Sequence, residues 1–489
     1  MSKQMKMKVA FITSAYRTVF FWSLAKHIEN AGHKVFWISP NRRWARWLVN
    51  QNVSEEQILD ITRYGHDWTA GSMRSITDRQ ELSNLEGCTH WNINNLIMMD
   101  PLLSRRKYSH SLQYLSSCYN RISKFLLSAK IAIVFGERAW ALELITDQIC
   151  QKHGISFLLP DYSRIPNNRF LFFSGPIRNQ IVPIREITDK DLIDAESLVK
   201  DFRNNTPRPD YMLINKAVLQ FNKQRLYDIT KHLICLTRDK FDETSRRPMD
   251  LILEHIRQIL RSKLSCLSGV FENPVHSPGR PYVLFLLQKQ PESSINVQGV
   301  PFCNQVEISK ALGRTLPINY DLYIKEHIVA LPHRPIGFYR RLRQIPGAQL
   351  ISPFANTFDL MRHAELVVTI TGTGAFEAAL LGRPAATIAP IYFDKIVRFP
   401  RYNPFETSLT QLIEEAQKYD SQITGKQIEF VAFLLAQSFP GEVGDALWIP
   451  KSMNSENIEQ VAKGFLGVMR VYEHNNGNKQ LYRVIRNYA

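Results

Sequence analysis

The chain has no run approaching the ~18 consecutive apolar residues of a membrane-spanning helix, which excludes an integral helical membrane protein. Cysteine is scarce: six in 489 residues, at positions 88, 118, 150, 235, 266 and 303. No two of them form a CxxC, so a zinc ribbon and a redox dithiol are both unsupported, and sparse thiols fit a reducing cytoplasm. No repeat or low-complexity tract occurs. A content of 44% hydrophobic and 22% charged residues excludes wholesale disorder and fibrous architecture. The first turn, Ser14-Ala15-Tyr16-Arg17, lacks the GxGxxG dinucleotide fingerprint. Lys3, Lys6 and Lys8 before Val9–Ala15 imitate a signal peptide, but Arg17 interrupts the run and no small-residue cleavage site follows, so a first strand is the better reading.

What is present begins with charge. Sixty-one Lys and Arg against 45 Asp and Glu leave a formal charge of +16, and a basic chain favours acidic company: nucleic acid, an anionic membrane face or phosphorylated substrates. The length predicts two or three domains at roughly 150 residues each.

The order of elements predicts α/β architecture. Met7–Thr13 reads as a buried strand, Phe20–Asn30 as a helix closed at Gly32, and Val35–Ser39 as a second strand, a βαβ opening that implies a parallel sheet. Ile131–Phe135 and Ile155–Leu159 are further strands around a helix capped by Gly154. Residues 185–275 read as mostly helical, with periodic segments at Leu192–Phe202, Met212–His232 and Leu251–Leu264. Glu272–Arg280 (ENPVHSPGR) is the clearest linker. Beyond it, strands at Tyr282–Gln288, Leu322–Lys325, Ala348–Ile351, Leu366–Thr371 and Ala385–Ala389 alternate with four helices, the pattern of a doubly wound parallel sheet. The expected domains are 1–185 (Rossmann-like, with an insertion), 186–275 (helical, packed on the first), 276–400 (Rossmann-like) and 401–489 (a helical tail), with the two sheet domains facing a cleft.

In open α/β sheets ligands bind beyond the carboxyl ends of the strands. Three blocks fall there. In Thr369–Pro384 (TITGTGAFEAALLGRP) a strand runs through Gly372-Thr373-Gly374 directly into a helix, so small residues and free amides at a helix start suit a phosphate. Thr371 and Thr373 add hydroxyls, and Glu377 adds a carboxylate for sugar or ribose hydroxyls. In Asp321–His327 (DLYIKEH) the strand end delivers Lys325, Glu326 and His327, a cation for phosphate and a proton shuttle. In Leu287–Glu292 (LQKQPE), Gln288, Gln290 and Glu292 follow a third strand.

These blocks in this order, with Asn304-Gln305, Phe338-Tyr339 and Ile351-Ser352-Pro353 between them, resemble the capsule polysaccharide biosynthesis family, which includes Kdo transferases that build capsule linkers. The resemblance covers about 280–395 well and the rest in outline. One departure is that the family's Lys-Glu-His-Pro reads Lys325-Glu326-His327-Ile328 here, which removes a rigid kink after the histidine. The resemblance implies a two-domain GT-B glycosyltransferase. Its carboxyl-terminal domain would bind a nucleotide-sugar through Gln290, Glu292, Lys325, Glu326, Thr371, Gly372, Thr373, Gly374 and Glu377, with His327 catalytic. The amino-terminal domain would bind a lipid-linked or oligosaccharide acceptor and supply a base. Glu137, after the strand Ile131–Phe135, is the better candidate for that base, ahead of Asp161.

Asp189-Lys190-Asp191 spells the DxD of metal-dependent transferases, but it opens a helical stretch, where capping explains the acids better; no cofactor and no essential metal are expected. Arginine and tryptophan alternate at Asn41–Trp47, further arginines sit at 340, 341 and 343, and the tail carries Arg470, Lys479, Arg483 and Arg486. Without a nucleic-acid motif these suit an anionic membrane surface, so the expected location is cytoplasmic with peripheral association at the inner membrane face. The competing readings are a nucleotide-sugar epimerase or hydrolase on the same fold, and a non-catalytic partner in a polysaccharide assembly.

Overall fold

The computed structural model describes residues 6–69, 75–205, 239–244, 248–267, 269–272, 280–418, 425–447 and 449–475. The expected helix at 212–232, most of the linker at 272–280, and Lys479, Arg483 and Arg486 lie outside them. The chain forms two compact units, one of residues 1–187, 238–246 and 434–489, the other of residues 188–237 and 247–433.

The first unit carries a sheet of eight strands: β1 (Lys8–Ile12), β2 (Lys34–Ser39), β3 (Ile58–Asp60), β4 (Ile133–Phe135), β5 (Ser156–Tyr162), β6 (Arg169–Ser174), β7 (Gln180–Ile181) and, numbered last in the chain, β13 (Phe439–Pro440). Their order is β13-β6-β5-β4-β1-β2-β3, with β7 on β6. Strands β1 to β5 pair in parallel, with Ala10 opposite both Phe36 and Val134, and β6, β7 and β13 add antiparallel pairs at one side. Helices Arg17–Asn30 and Ala141–His153 supply crossovers, each closed by a glycine at positive φ, Gly32 at 92° and Gly154 at 66°. A parallel sheet covered on both faces needs nearly continuous apolar strands, and β1 (KVAFI) and β4 (IVF) have them. Phe11 is the hub of the core, stacked on Trp37 and Phe135 at 5.4 and 5.1 Å and on Phe465 at 6.0 Å.

Phe465 belongs to the helix Ser455–Asn475. The expected helical tail therefore does not stand apart: its last part completes the first unit's core. Gly464 lets that helix close on the sheet, because a Cβ there would lie 2.6 Å from the Phe170 ring and 2.9 Å from Phe439. The helix Asp189–Asn205, expected on the amino-terminal domain, belongs to the second unit instead. Arg203 donates to the Leu380 carbonyl, its own carbonyl accepts from Arg362, and Phe202 meets Phe358 edge-on.

The second unit carries five strands: β8 (Tyr282–Leu286), β9 (Asp321–Lys325), β10 (Ala348–Ile351), β11 (Leu366–Thr369) and β12 (Ala385–Thr387), in the order β10-β9-β8-β11-β12 and all parallel. Its core gathers Val283, Phe285, Leu322, Ile324, Val368 and Ile388, all essentially buried. Both units are thus Rossmann-like α/β layers, as the sequence led us to expect.

Candidate functional site

Numbered by appearance, the strands of the second sheet run 3-2-1-4-5. After β8 the next strand is laid down on one side; after β11 it is laid down on the other. The loops leaving β8 and β11 therefore diverge, and the crevice between two such loops is where α/β sheets bind ligands. Gln288 leaves β8 and Thr371 leaves β11. The Gln288 side chain accepts from the Thr371 amide at 2.9 Å and donates to the Thr371 hydroxyl at 3.1 Å, and that hydroxyl donates to the Ser294 carbonyl at 2.6 Å. Gln305 closes the other side: its carbonyl oxygen accepts from the Gln288 amide, and its amide nitrogen donates to the Gln288 and Gln290 carbonyl oxygens. Gln290 donates onward to Asn296. Buried amides satisfied on both ends hold a loop in one shape.

This frame presents the turn Gly372-Thr373-Gly374, which is half-exposed and open, followed at once by the helix Gly374–Leu380. The two glycines have different reasons. A Cβ at Gly374 would meet Leu286 Cδ1 at 2.3 Å, so this glycine lets the helix close on β8; a Cβ at Gly372 would meet Gln288 at an ordinary 3.4 Å. The amides of Gly372, Thr373 and Gly374 make none of the backbone hydrogen bonds seen among the described residues. Glu377 is buried inside the helix, and Glu292 is exposed at the start of the turn Ser293–Asn296.

At the end of β9 the three residues diverge in role. Glu326 is fully buried, and both its oxygens are engaged: Arg334 pairs with them at 2.7 and 2.8 Å, the Tyr339 hydroxyl donates at 2.8 Å, and the His327 amide donates at 2.6 Å. Arg334 also donates to the Gln288 carbonyl, tying β9's loop to β8's. This carboxylate holds the frame; the sequence placed it among the donor-binding residues. Lys325 is buried with only two carbonyl contacts, Glu326 at 3.5 Å and Pro353 at 3.3 Å, and no carboxylate reaches it within ion-pair distance among the described residues. Burial lowers its pKa to about 8, against the opposing pull of Glu326. His327 is lowered to about 4, again chiefly by burial. Its Nδ1 accepts from the Val329 amide at 3.3 Å, which puts the ring's single proton on Nε2.

The first sheet repeats the strand arrangement: β1 to β5 also run 3-2-1-4-5, and the fork lies between β1 and β4. There the loop after β1 brings Ser14 and Arg17, and the loop after β4 brings Glu137. The Ser14 hydroxyl donates to one Glu137 oxygen at 2.7 Å, and the Arg17 guanidinium pairs with the other. Behind it, Glu143 is buried and accepts from the amides of Ala139 and Trp140 at 2.8 and 3.2 Å. Burial first, then the charge of Glu137, pushes its pKa up to about 8. Asp161 is not a strand-end residue: it lies within β5 and pairs with Arg178 at 3.1 Å. Asp191 accepts from the Thr188 amide and hydroxyl at 2.9 and 2.6 Å, the helix-start role that the sequence favoured over a DxD. The tryptophans of 41–47 stack among themselves: Trp44 is edge-on to Tyr16 and Trp47 at 5.5 and 5.7 Å, and Trp22 meets Trp47 at 5.5 Å.

No family model and no curated protein sequence matches the chain. Solved structures similar to it include a Thermosulfurimonas dismutans KpsC β-Kdo 2,7 transferase, 12% identical over 72% of this chain and 89% of the other, with a TM-score of 0.34. A second, from the same organism, is a KpsC β-Kdo 2,4 transferase, 14% identical over 68% and 87%, with a TM-score of 0.31. A third is the Methanocaldococcus jannaschii UDP-GlcNAc 2-epimerase in complex with UDP-GlcNAc and UDP, 11% identical over 88% and 99%, with a TM-score of 0.29. At these scores the functional reading rests on the site's own geometry.

Proposed function

We propose that the chain is a glycosyltransferase of surface-polysaccharide synthesis that moves a sugar from a nucleotide-activated donor to a glycan hydroxyl. The observation that carries this reading is the fork of the second sheet. A buried ammonium with no carboxylate at ion-pair distance among the described residues ends β9, and an open Gly-Thr-Gly turn, whose amides make none of the backbone hydrogen bonds seen among those residues, follows β11. Both favour a multiply charged anion, and a sugar nucleotide carries one.

In the proposed reaction a bond forms between the acceptor oxygen and the anomeric carbon while the bond from that carbon to the donor phosphate breaks. The phosphate leaves with the bonding pair. Lys325 and the amides of 372–374 stabilise its charge, and His327, neutral at physiological pH, donates through Nε2–H. Glu137, held in place by Ser14 and Arg17, takes the acceptor hydroxyl's proton. No essential divalent ion is expected, since the DxD acids serve a helix start, and transfer in excess EDTA is expected to match transfer without it.

The test is a thermal-shift screen against CMP, UDP, GDP and dTDP compounds, followed by product analysis with and without a glycan acceptor. A ligand that binds only the folded state raises its melting temperature according to affinity. Stabilisation by one nucleotide, with sugar transfer only when acceptor is present, supports the proposal. Turnover of the donor without acceptor would assign an epimerase or hydrolase instead, and no response to any nucleotide would leave a non-catalytic partner.

A further inference from the structure

The helix Pro248–Leu267 has an unusual outer side. Met249, Leu253, Ile256, Leu260 and Leu264 are 63%, 44%, 50%, 54% and 65% exposed. Their spacing of four, three, four and four residues keeps all five on one stripe about 80° wide at 3.6 residues per turn. Arg257 and Lys263, both exposed, fall at the two edges of that stripe. Scattered single exposed apolar residues need no explanation, but five in one line do.

We propose that this stripe is a membrane-docking surface, lying in the headgroup region of an anionic bilayer with Arg257 and Lys263 on lipid phosphates. Two observations favour that occupant. The stripe is apolar with Arg257 and Lys263 on its margins, the arrangement that seats a helix in the plane of an interface rather than across it. The chain's charge of +16 repels a second copy and attracts anionic lipid. Placement adds a consequence: this helix also packs against Ile328–His333, the segment that directly follows Lys325-Glu326-His327. A bilayer on the outer stripe would thus lie one helix away from the candidate phosphate site, where a lipid-carried substrate would be presented. The docking itself is independent of the nucleotide reading and is tested without any nucleotide.

The experiment is co-sedimentation of the full chain with vesicles of phosphatidylcholine alone and of phosphatidylcholine with phosphatidylglycerol, at low and high salt. Light scattering on the same samples gives the oligomeric state. The wild type is expected to partition onto the anionic vesicles at least ten-fold better than onto neutral ones, with the preference shrinking in high salt. L253Q/I256Q/L260Q is expected to lose at least ten-fold of that partition, and R257Q/K263Q several-fold. An unchanged melting temperature shows that each variant has kept its fold, since all five positions are exposed. Absence of vesicle binding by the wild type, or equal binding by the triple variant, overturns the proposal. So does a wild-type dimer that the triple variant converts to monomer, because the stripe then belongs to a second copy.

Discussion

At the fork between β1 and β4 the first sheet holds carboxylates: Glu137, fixed by Ser14 and Arg17, with the buried Glu143 behind it. At the equivalent fork between β8 and β11 the second sheet holds groups that donate: open turn amides and hydroxyls, with Lys325 and the Nε2–H of His327 at the end of the adjacent β9. One strand order builds both crevices, yet one is lined by carboxylates and the other by hydrogen-bond donors. A shared topology fixes where chemistry sits and leaves the loops to decide which chemistry it is.

Changing one group at each fork breaks the contrast most sharply. Glu137→Gln keeps the shape and removes the proton acceptor, so the transfer rate is expected to fall about 10²–10⁴-fold while nucleotide affinity stays unchanged. A matching loss of affinity, read by titration calorimetry, would mean that the two forks do not divide the work. Lys325→Met is the mirror experiment. Nucleotide affinity is expected to fall about 10–100-fold, the worth of a charge-assisted contact to phosphate. The protein itself is expected to gain stability in thermal melts, because a buried ammonium with no carboxylate at ion-pair distance among the described residues is replaced by an apolar chain of similar length.

Glu326→Ala should separate the frame from the site. Removing one member of a buried pair strands Arg334, at an expected cost of about 3–5 kcal/mol in chemical denaturation. No local effect on phosphate would produce a loss of that size.

The pH dependences have opposite signs at the two forks. Lys325 titrates near 8 when folded and near 10.5 when unfolded. Between those values the unfolded chain binds more protons, so this group's contribution makes stability rise with pH; Lys325→Met is expected to flatten that slope. Glu143, raised to about 8 from 4.5, is protonated when folded and ionised when unfolded across that window. Its contribution is full at low pH and is lost as pH rises through 8, and Glu143→Gln is expected to remove this fall. Melting curves from pH 4 to 10 on the two variants read both. The smallest effect is expected at Gly372→Ala, whose Cβ meets only ordinary contacts: a melting temperature close to wild type with weaker nucleotide binding.

Much of this was legible in sequence because parallel strands are apolar throughout and helices are punctuated. Ala348–Ile351 agrees residue for residue, and Asn356 caps the following helix through the Phe358 amide. The strands that escaped reading have other causes. β3 is three residues long, β13 is two, and β6 pairs antiparallel, outside the βα alternation of the parallel strands. At the site, Lys325, His327 and the 371–374 turn were visible because each follows an apolar run. Arg334 and Tyr339 were not seen as partners of Glu326, and the Gln288–Thr371 link, joining residues 83 apart, leaves no local trace. Arg17 stood only as an interruption in an apolar stretch, until the fold carried Glu137 beside it.

The central claim is that Lys325 and the 371–374 turn hold the phosphate of a sugar nucleotide. Its most direct test is titration calorimetry of the best-stabilising nucleotide into wild type and Lys325→Met, at pH 7 and again at pH 9.5. The expected result is wild-type binding at pH 7, at least ten-fold weaker at pH 9.5 where Lys325 has lost its proton, with the variant weak at both. Equal affinity in the two proteins, or wild-type binding indifferent to pH, would contradict it.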